Sequence, residues 1–336
     1  MCQLCVFLSS SVSSKDKEDT KDLRWGNHTV VTEFKLLGFS DFQKLQVLLF
    51  VVVLIIYSIT LIGNSFIIFI IIASPSLQTP MYFFLKNLSF LDICYTSVTI
   101  PRMLRDLLLD TKNISYTGCI AQMCCFALLG TAECFLLSAM AYDRYIAICH
   151  PFQYLVIMNR RLCIQLVAVS WMSGITVALT QTSLIAMLPY CRHNTINHFF
   201  CDIVPLINLA CGKTSVNQTE LFLVAIFVVM VPFIMIIISY ICIISTILRM
   251  QSADGKRKVF STCSSHLMVV SLFYGTSCAM YLNSTSSEFL GSGKLLALLY
   301  TVVTPVLNTI IYSLRNKEIK VALRELMHRN LSIFQR

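Results

Sequence analysis

Seven apolar runs constrain this chain more than any other feature. They fall at about 45–73, 80–100, 119–142, 162–184, 219–248, 259–283 and 294–313. Each is near or above the roughly 20 residues that a helix needs to cross a hydrocarbon core ~30 Å thick. In hydrocarbon the backbone has no water to bond, so each run must satisfy its own amides and becomes a helix. Barrel strands would alternate polar and apolar residues, and these runs do not. Composition agrees, because 56% of the residues are hydrophobic and 13% charged, against about 25% charged in a soluble domain. The expected fold class is an all-α membrane protein, a seven-transmembrane helix bundle with a short amphipathic cytoplasmic helix. Residues 1–44 form an extracellular segment, with 1–24 disordered, 45–313 the bundle, and 314–336 a cytoplasmic tail.

The net charge of +9 does not point to nucleic acid, since the basic residues form no patch interleaved with aromatics. They sit between the runs. With the N-terminus outside, the inner loops hold Arg144, Arg160, Arg161, Arg249, Lys256, Arg257 and Lys258, followed by a basic tail. The outer loops hold Arg102, Arg105, Lys112, Arg192, Lys213 and Lys294. The positive-inside rule then favours an extracellular N-terminus and a cytoplasmic C-terminus in the plasma membrane. MCQLCVFLSS lacks a basic leader, so the first run is expected to act as the targeting signal. The tail helix KEIKVALRELMHR is expected to turn Leu323 and Leu326 to lipid, with Lys320, Arg324 and Arg329 at anionic headgroups.

Cys119, Cys191, Cys201 and Cys211 fall on the expected outer face, where an oxidising compartment favours disulfides. Spacing alone leaves three pairings open. Cys191, His193, His198 and Cys201 stand close in CRHNTINHFFC, but no finger spacing supports a zinc site, and no metal is expected there. Asn27 begins a glycosylation sequon in the N-terminal segment.

Ionisable groups inside spans are expensive and read as functional. Asp92 and Glu133 lie mid-span on neighbouring helices, with Asn64 on the first. They share a cation such as sodium or a proton, or else form a polar network with water. Apart from this possible sodium, no cofactor is expected. At the inner end of the third run, MAYDRYIAICHP sets Asp143 against Arg144 and Tyr145. Asp143 is expected to pair with Arg144, as a latch with two settings or as a static anchor. On the third helix Phe126, Ala127, Gly130, Thr131 and Cys134 recur at i, i+1, i+4, i+5 and i+8, on one face. The spacing alone favours ordinary helix packing.

Five motifs in register across the runs resemble the odorant receptors, within the rhodopsin-like G-protein-coupled receptors and of the terrestrial-type class. They are Gly63-Asn64, PMYFFLKNLSFLDICYTS at 80–97, MAYDRYIAICHP at 140–151, KVFSTCSSHL at 258–267 and PVLNTIIYSLRN at 305–316. The resemblance covers about 27–328. It implies the pairings Cys119–Cys201 and Cys191–Cys211. Asp143, Arg144 and Tyr145 match the activation latch, Tyr240 and Tyr312 the tyrosines that close around the arginine, and Asn308 the polar switch of the seventh helix. Tyr274 stands at the toggle position, Trp171 matches the fourth-helix tryptophan and Pro232 the fifth-helix kink.

The resemblance also implies an odorant pocket lined by the third-helix face with Val228, Ser277, Cys278, Tyr281 and Thr301. Phe126 stands where amine-hormone receptors keep an acid, and the lining reads as mostly apolar. The expected ligand is small, volatile and largely hydrophobic, held by burial and one or two hydrogen bonds to Tyr281 and Thr131. The implied partners are an odorant, a stimulatory olfactory-type heterotrimeric G protein that raises cyclic AMP, and membrane lipids. One departure matters. Thr309 follows Asn308 where the family has proline, so a chemoreceptor with weak or absent signalling is the alternative. A transporter would need inverted repeats, a retinal protein a lysine midway along the last run, and an enzyme paired catalytic groups. The first two are not visible, Asp92 and Glu133 are the only candidates for the third with no water-activating metal cluster beside them, and no enzyme activity is expected.

Overall fold

The structure, a computed structural model, describes residues 31–39, 45–109, 112–190, 194–283, 290–314 and 317–334, without the side chains of 258, 261–262, 278–283, 290–293, 313–314, 317 and 327–334. Among them run seven long helices: α1 Gln46–Ala73, α2 Pro80–Leu108, α3 Tyr116–Cys149, α4 Arg160–Ala186, α5 Ser215–Arg249, α6 Ala253–Asn283, and α7, built from Leu290–Leu298, Leu299–Val303 and Thr304–Leu314. An eighth, α8, spans Lys317–Phe334. The protein is a seven-helix membrane bundle. Most helices run past their apolar stretch, because their polar ends are capped or packed. Ser115 Oγ accepts the Gly118 N–H at the start of α3, and Asn159 Oδ1 accepts the Leu162 N–H at the start of α4, the usual service of an N-cap side chain. Pro80 opens α2, where a missing N–H costs nothing.

The helix α3 is the central post. In its most apolar stretch 67% of residues are buried, against 11% in α1. It packs on α2, α4, α5 and α6. Gly174 of α4 makes the close crossing possible, since a methyl there would strike the Leu128 carbonyl of α3. The outward faces of α1, α4 and α5 are apolar instead of polar, as at Val47, Ile62, Phe69, Leu179, Ile238 and Leu248. An apolar belt of that extent is stable only against lipid.

Two helices are irregular in the same way. A π turn occupies Ile226–Met230 in α5 and another Leu299–Val303 in α7. A proline follows each closely, Pro232 and Pro305. Proline lacks the N–H and its ring crowds the preceding turn. The wider turn accommodates both demands, and such turns gather at functional sites.

One end of the bundle carries a small sheet that the all-α reading did not foresee. Glu33–Leu36 (β1) pairs antiparallel with Asn113–Ser115 (β2) and parallel with Thr195–Ile196 (β3), in the order β2-β1-β3. Phe34 and Leu36 alternate inward and bury against Ile114 and Ile196. Below the sheet Cys119 and Cys201 form a disulfide with Cα atoms 5.4 Å apart. The pairing expected for Cys191 falls outside the described residues, as does Asn27, and Cys211 is exposed, with no disulfide partner among the described residues.

At the other end α8 packs on α1. Ile319 and Ala322 are buried, and Leu323 and Leu326 pack partly against the bundle. This corrects the expectation that both leucines face lipid. All four share one helical face, and the Tyr82 hydroxyl, donating to Glu318 Oε2 at 2.7 Å, holds that face toward the core.

Candidate ligand-binding site

A cavity of about 90 Å³ opens between α3, α4, α5, α6 and α7 toward the sheet end. The third-helix face reaches it as the spacing required, through Phe126, Ala127, Gly130, Thr131 and Cys134, with Val228 from α5 and Ser277 from α6. Cys278 and Tyr281 lie outside the described side chains. Thr301 does not line it: its hydroxyl donates to the Ala297 carbonyl at 2.8 Å and the side chain is fully buried. Tyr300 lines the cavity instead. The π turn supplies the reason, since its extra residue changes which position faces inward.

Aromatic rings build the floor and one wall. Phe126 lies 4.9 Å from Tyr95 and 4.8 Å from Phe200, and Tyr300 sits 5.8 Å from Phe273, separations at which ring pairs attract. Tyr274, expected at the toggle position, packs 5.0 Å from Phe233 of α5. Its buried hydroxyl is set toward the Cys134 thiol of α3.

The lining is less apolar than the sequence reading held. Gln181 of α4 and Asp202 also reach the cavity, both buried. Asp202 heads the short helix Ile203–Leu209 and its Oδ1 accepts the Ile203 N–H at 2.8 Å. Burial pushes its carboxyl up to about 6, and the Ile203 N–H pulls the other way. Nothing local in the sequence marks either residue. The segment that brings Asp202 here is held by the disulfide and by Gln122, whose Oε1 accepts the Cys201 N–H at 3.0 Å while its Nε2 donates to the Val98 carbonyl at 3.0 Å.

Deeper in the bundle Asn308 Nδ2 donates to Asp92 Oδ1 at 3.5 Å. Both are buried with Glu133, close enough for the two carboxyls to influence each other. Asn64 does not join them directly: its amide donates to the Thr60 carbonyl of its own helix. Thr309 donates to the Pro305 carbonyl at 3.0 Å, and its methyl occupies the space that a side chain at Gly63 would need.

At the far end the expected Asp143–Arg144 pair is not formed. Asp143 is buried and accepts the Tyr154 hydroxyl at 2.9 Å. Adjacent residues on a helix do not face each other, so Asp143 turns to Tyr154 of the loop, where the Arg144 charge still reaches both, while Arg144 also borders the bundle. There the Arg144 charge acts on Tyr240, Cys263, His266 and Tyr312. Tyr145 points away and meets His150 Nε2 at 3.2 Å. Tyr240 and His266 Nδ1 lie 2.8 Å apart, and His266 Nε2 is 3.2 Å from the Leu137 carbonyl. His266 thus ties α5 and α6 to α3, a role its place in KVFSTCSSHL did not declare.

A cavity roofed by a disulfide-tied loop, with a half-buried arginine among tyrosines and a histidine at the opposite end of the central helix, is a receptor-like arrangement. The family model described as olfactory receptor matches residues 53–330. The chain belongs to the olfactory receptor family. Human olfactory receptor 10AG1 is 52% identical over 89% of this chain and 100% of its own length. Human olfactory receptor 10A7 is 51% identical over 89% of this chain and 94% of its own. The crystal structure of squid rhodopsin matches the receptor with a TM-score of 0.69 at 17% identity, covering 87% of both chains, so the two share a fold.

Proposed function

We propose that the receptor binds a small, mostly hydrophobic volatile molecule in the cavity beneath Asp202 and activates a stimulatory, olfactory-type G protein that raises cyclic AMP. The observation that carries this reading is the joint placement of cavity and arginine cluster along α3. Phe126 to Cys134 line the former, and Arg144 lies about three turns further along the same helix. The orientation that fits has the sheet end and N-terminus extracellular, and α8 with the Arg144 end cytoplasmic in the plasma membrane. Apolar contact contributes about 25 cal/mol per Å² buried, so a ligand of roughly ten heavy atoms binds at micromolar strength or weaker.

The test is a cyclic AMP reporter in cells expressing the full chain, challenged with an odorant panel beside Arg144→Ala. The expected result is a concentration-dependent response that Arg144→Ala abolishes at equal surface level. A response that survives Arg144→Ala overturns the assignment of Arg144 as the effector contact.

A second reading, a chemoreceptor with weak signalling, rests on Thr309. It predicts that Thr309→Pro raises the maximal response. Sodium between Asp92 and Glu133 belongs to the same scheme. The donors suit a hard cation, because Asn308 Oδ1 is buried beside Asp92 without a hydrogen-bond partner among the described residues. Such an ion would neutralise the carboxylates, and agonist potency would depend on sodium until Asp92→Ala removes the dependence.

A further inference from the structure

The apolar reading of the cavity leaves one lining group unexplained. Asp202 is 7% exposed and Gln181, across the same cavity, 3%. The two oxygens of Asp202 are not equivalent. Oδ1 is committed to the Ile203 N–H, while Oδ2 has no hydrogen bond among the described residues. No Lys or Arg pairs with this carboxylate among those residues. A carboxylate oxygen buried against an apolar space is costly unless something donates to it. The cap is filled from within the chain, and the cavity side is open to a ligand.

We propose that Asp202 is the polar anchor of the cavity and selects ligands that bring an O–H or N–H donor, alcohols or primary amines, over ligands of equal shape that carry only acceptors. This rests on the cavity being the odorant site. Gln181 offers both a donor and an acceptor, so it can meet the remaining valence of a hydroxyl or amino group whose proton goes to Asp202. An ammonium adds charge to the same bond and gains more from it.

Asp202→Asn isolates the effect. Asparagine caps a helix as well as aspartate does, so its Oδ1 keeps the Ile203 bond and Nδ2 takes the place of Oδ2. The cavity exchanges an acceptor for a donor at one position, with the fold retained. The experiment uses the full chain in cells, a G-protein activation reporter, and four straight-chain compounds of equal heavy-atom count: an alcohol, a primary amine, an aldehyde and an ether. Val228→Trp, which fills the cavity, runs alongside.

In Asp202→Asn the alcohol and amine are expected to lose about tenfold or more in potency. The aldehyde gains and the ether holds. A loss confined to the amine identifies an ammonium as the donor, and a loss shared with the alcohol a neutral one. An equal shift for all four compounds, or unchanged alcohol and amine, overturns the inference. So does a wild-type chain that answers aldehyde or ether and ignores both donors. Val228→Trp is expected to silence every compound. Responses that survive it overturn the cavity reading itself, a result separable from the behaviour of Asp202. Should Asp202→Asn fail to reach the surface, Asp202→Ser also caps, removes Oδ2, and carries the same expected loss.

Discussion

Replacing Gln122 by leucine tests whether the roof of the cavity is held by one side chain. Gln122 joins three parts, α3 through its own backbone, α2 through the Val98 carbonyl and the outer loop through the Cys201 N–H. Leucine fills a similar volume, so packing changes little. The hydrogen bonds do not survive. Cys201 is fully buried and covalently tied to Cys119 on the same helix, so its N–H cannot swing out to water. A buried donor left unmet costs about 1–3 kcal/mol, and the bond lost at Val98 adds about 0.5–1.5 kcal/mol. The sum, about 1.5–4.5 kcal/mol, lowers the folded-to-unfolded ratio by roughly 10- to 2000-fold. Thermal unfolding of the detergent-purified receptor, followed by intrinsic fluorescence, should show a clear fall in melting temperature, and surface expression should drop with it. If Gln122→Leu melts with the wild type, the Cys201 N–H has found another partner and the roof is anchored elsewhere.

Three further outcomes are expected. Gly63→Ala pushes a methyl into Thr309 and should destabilise by about 1–3 kcal/mol. Thr309→Ser, which removes the methyl and keeps the Pro305 bond, should restore it in a double-mutant cycle. Tyr240→Phe deletes the hydroxyl facing His266. A buried bond of about 1 kcal/mol should shift the activation equilibrium roughly fivefold, read as a lower maximal response at unchanged surface level. The outer loop should also show opposed titrations. Burial, helped by Lys294, holds His198 down to about 4 from an ordinary 6.5. Its contribution is therefore whole above pH 6.5 and fades as pH falls through 4. Asp202 stands at about 6 against an ordinary 3.8, so its contribution is whole below pH 3.8 and fades as pH rises through 6. The two offset each other in the wild type. In Asp202→Asn the His198 dependence should emerge as hydrogen-exchange protection of residues 195–203 that falls on acidification. A variant as flat as the wild type would refute the assignment.

The helices were legible because hydrocarbon leaves a chain few choices. A run such as Gln46–Ala73 has to be a helix whatever surrounds it. The third-helix face of the cavity was legible for a related reason, since a period of 3.6 places Phe126, Gly130 and Cys134 together wherever the helix packs. What escaped was everything decided by distant partners. The strand Glu33–Leu36 alternates inward and outward residues, but four residues are too few to announce a strand against a polar background. Gln122, Gln181 and Asp202 meet across loops whose path no local pattern encodes. Asp143 and Arg144 show the opposite error. Adjacency in sequence suggested a pair, while the helix turns them apart and gives the acid to Tyr154.

The two wide turns in α5 and α7 carry a consequence for how such a receptor changes over generations. Each inserts one residue beyond regular helical count, directly beside the cavity. Tightening either turn, Ile226–Met230 or Leu299–Val303, to a regular α-helix with all its residues kept would spin everything downstream by about 100°. Val228 or Tyr300 would leave the wall, and the same rotation would carry Tyr240, or Asn308 and Tyr312, off the central post. The chamber and the Arg144 end are geared to one shaft, so ligand preference in this scaffold is retuned by side-chain changes that leave both wide turns in place.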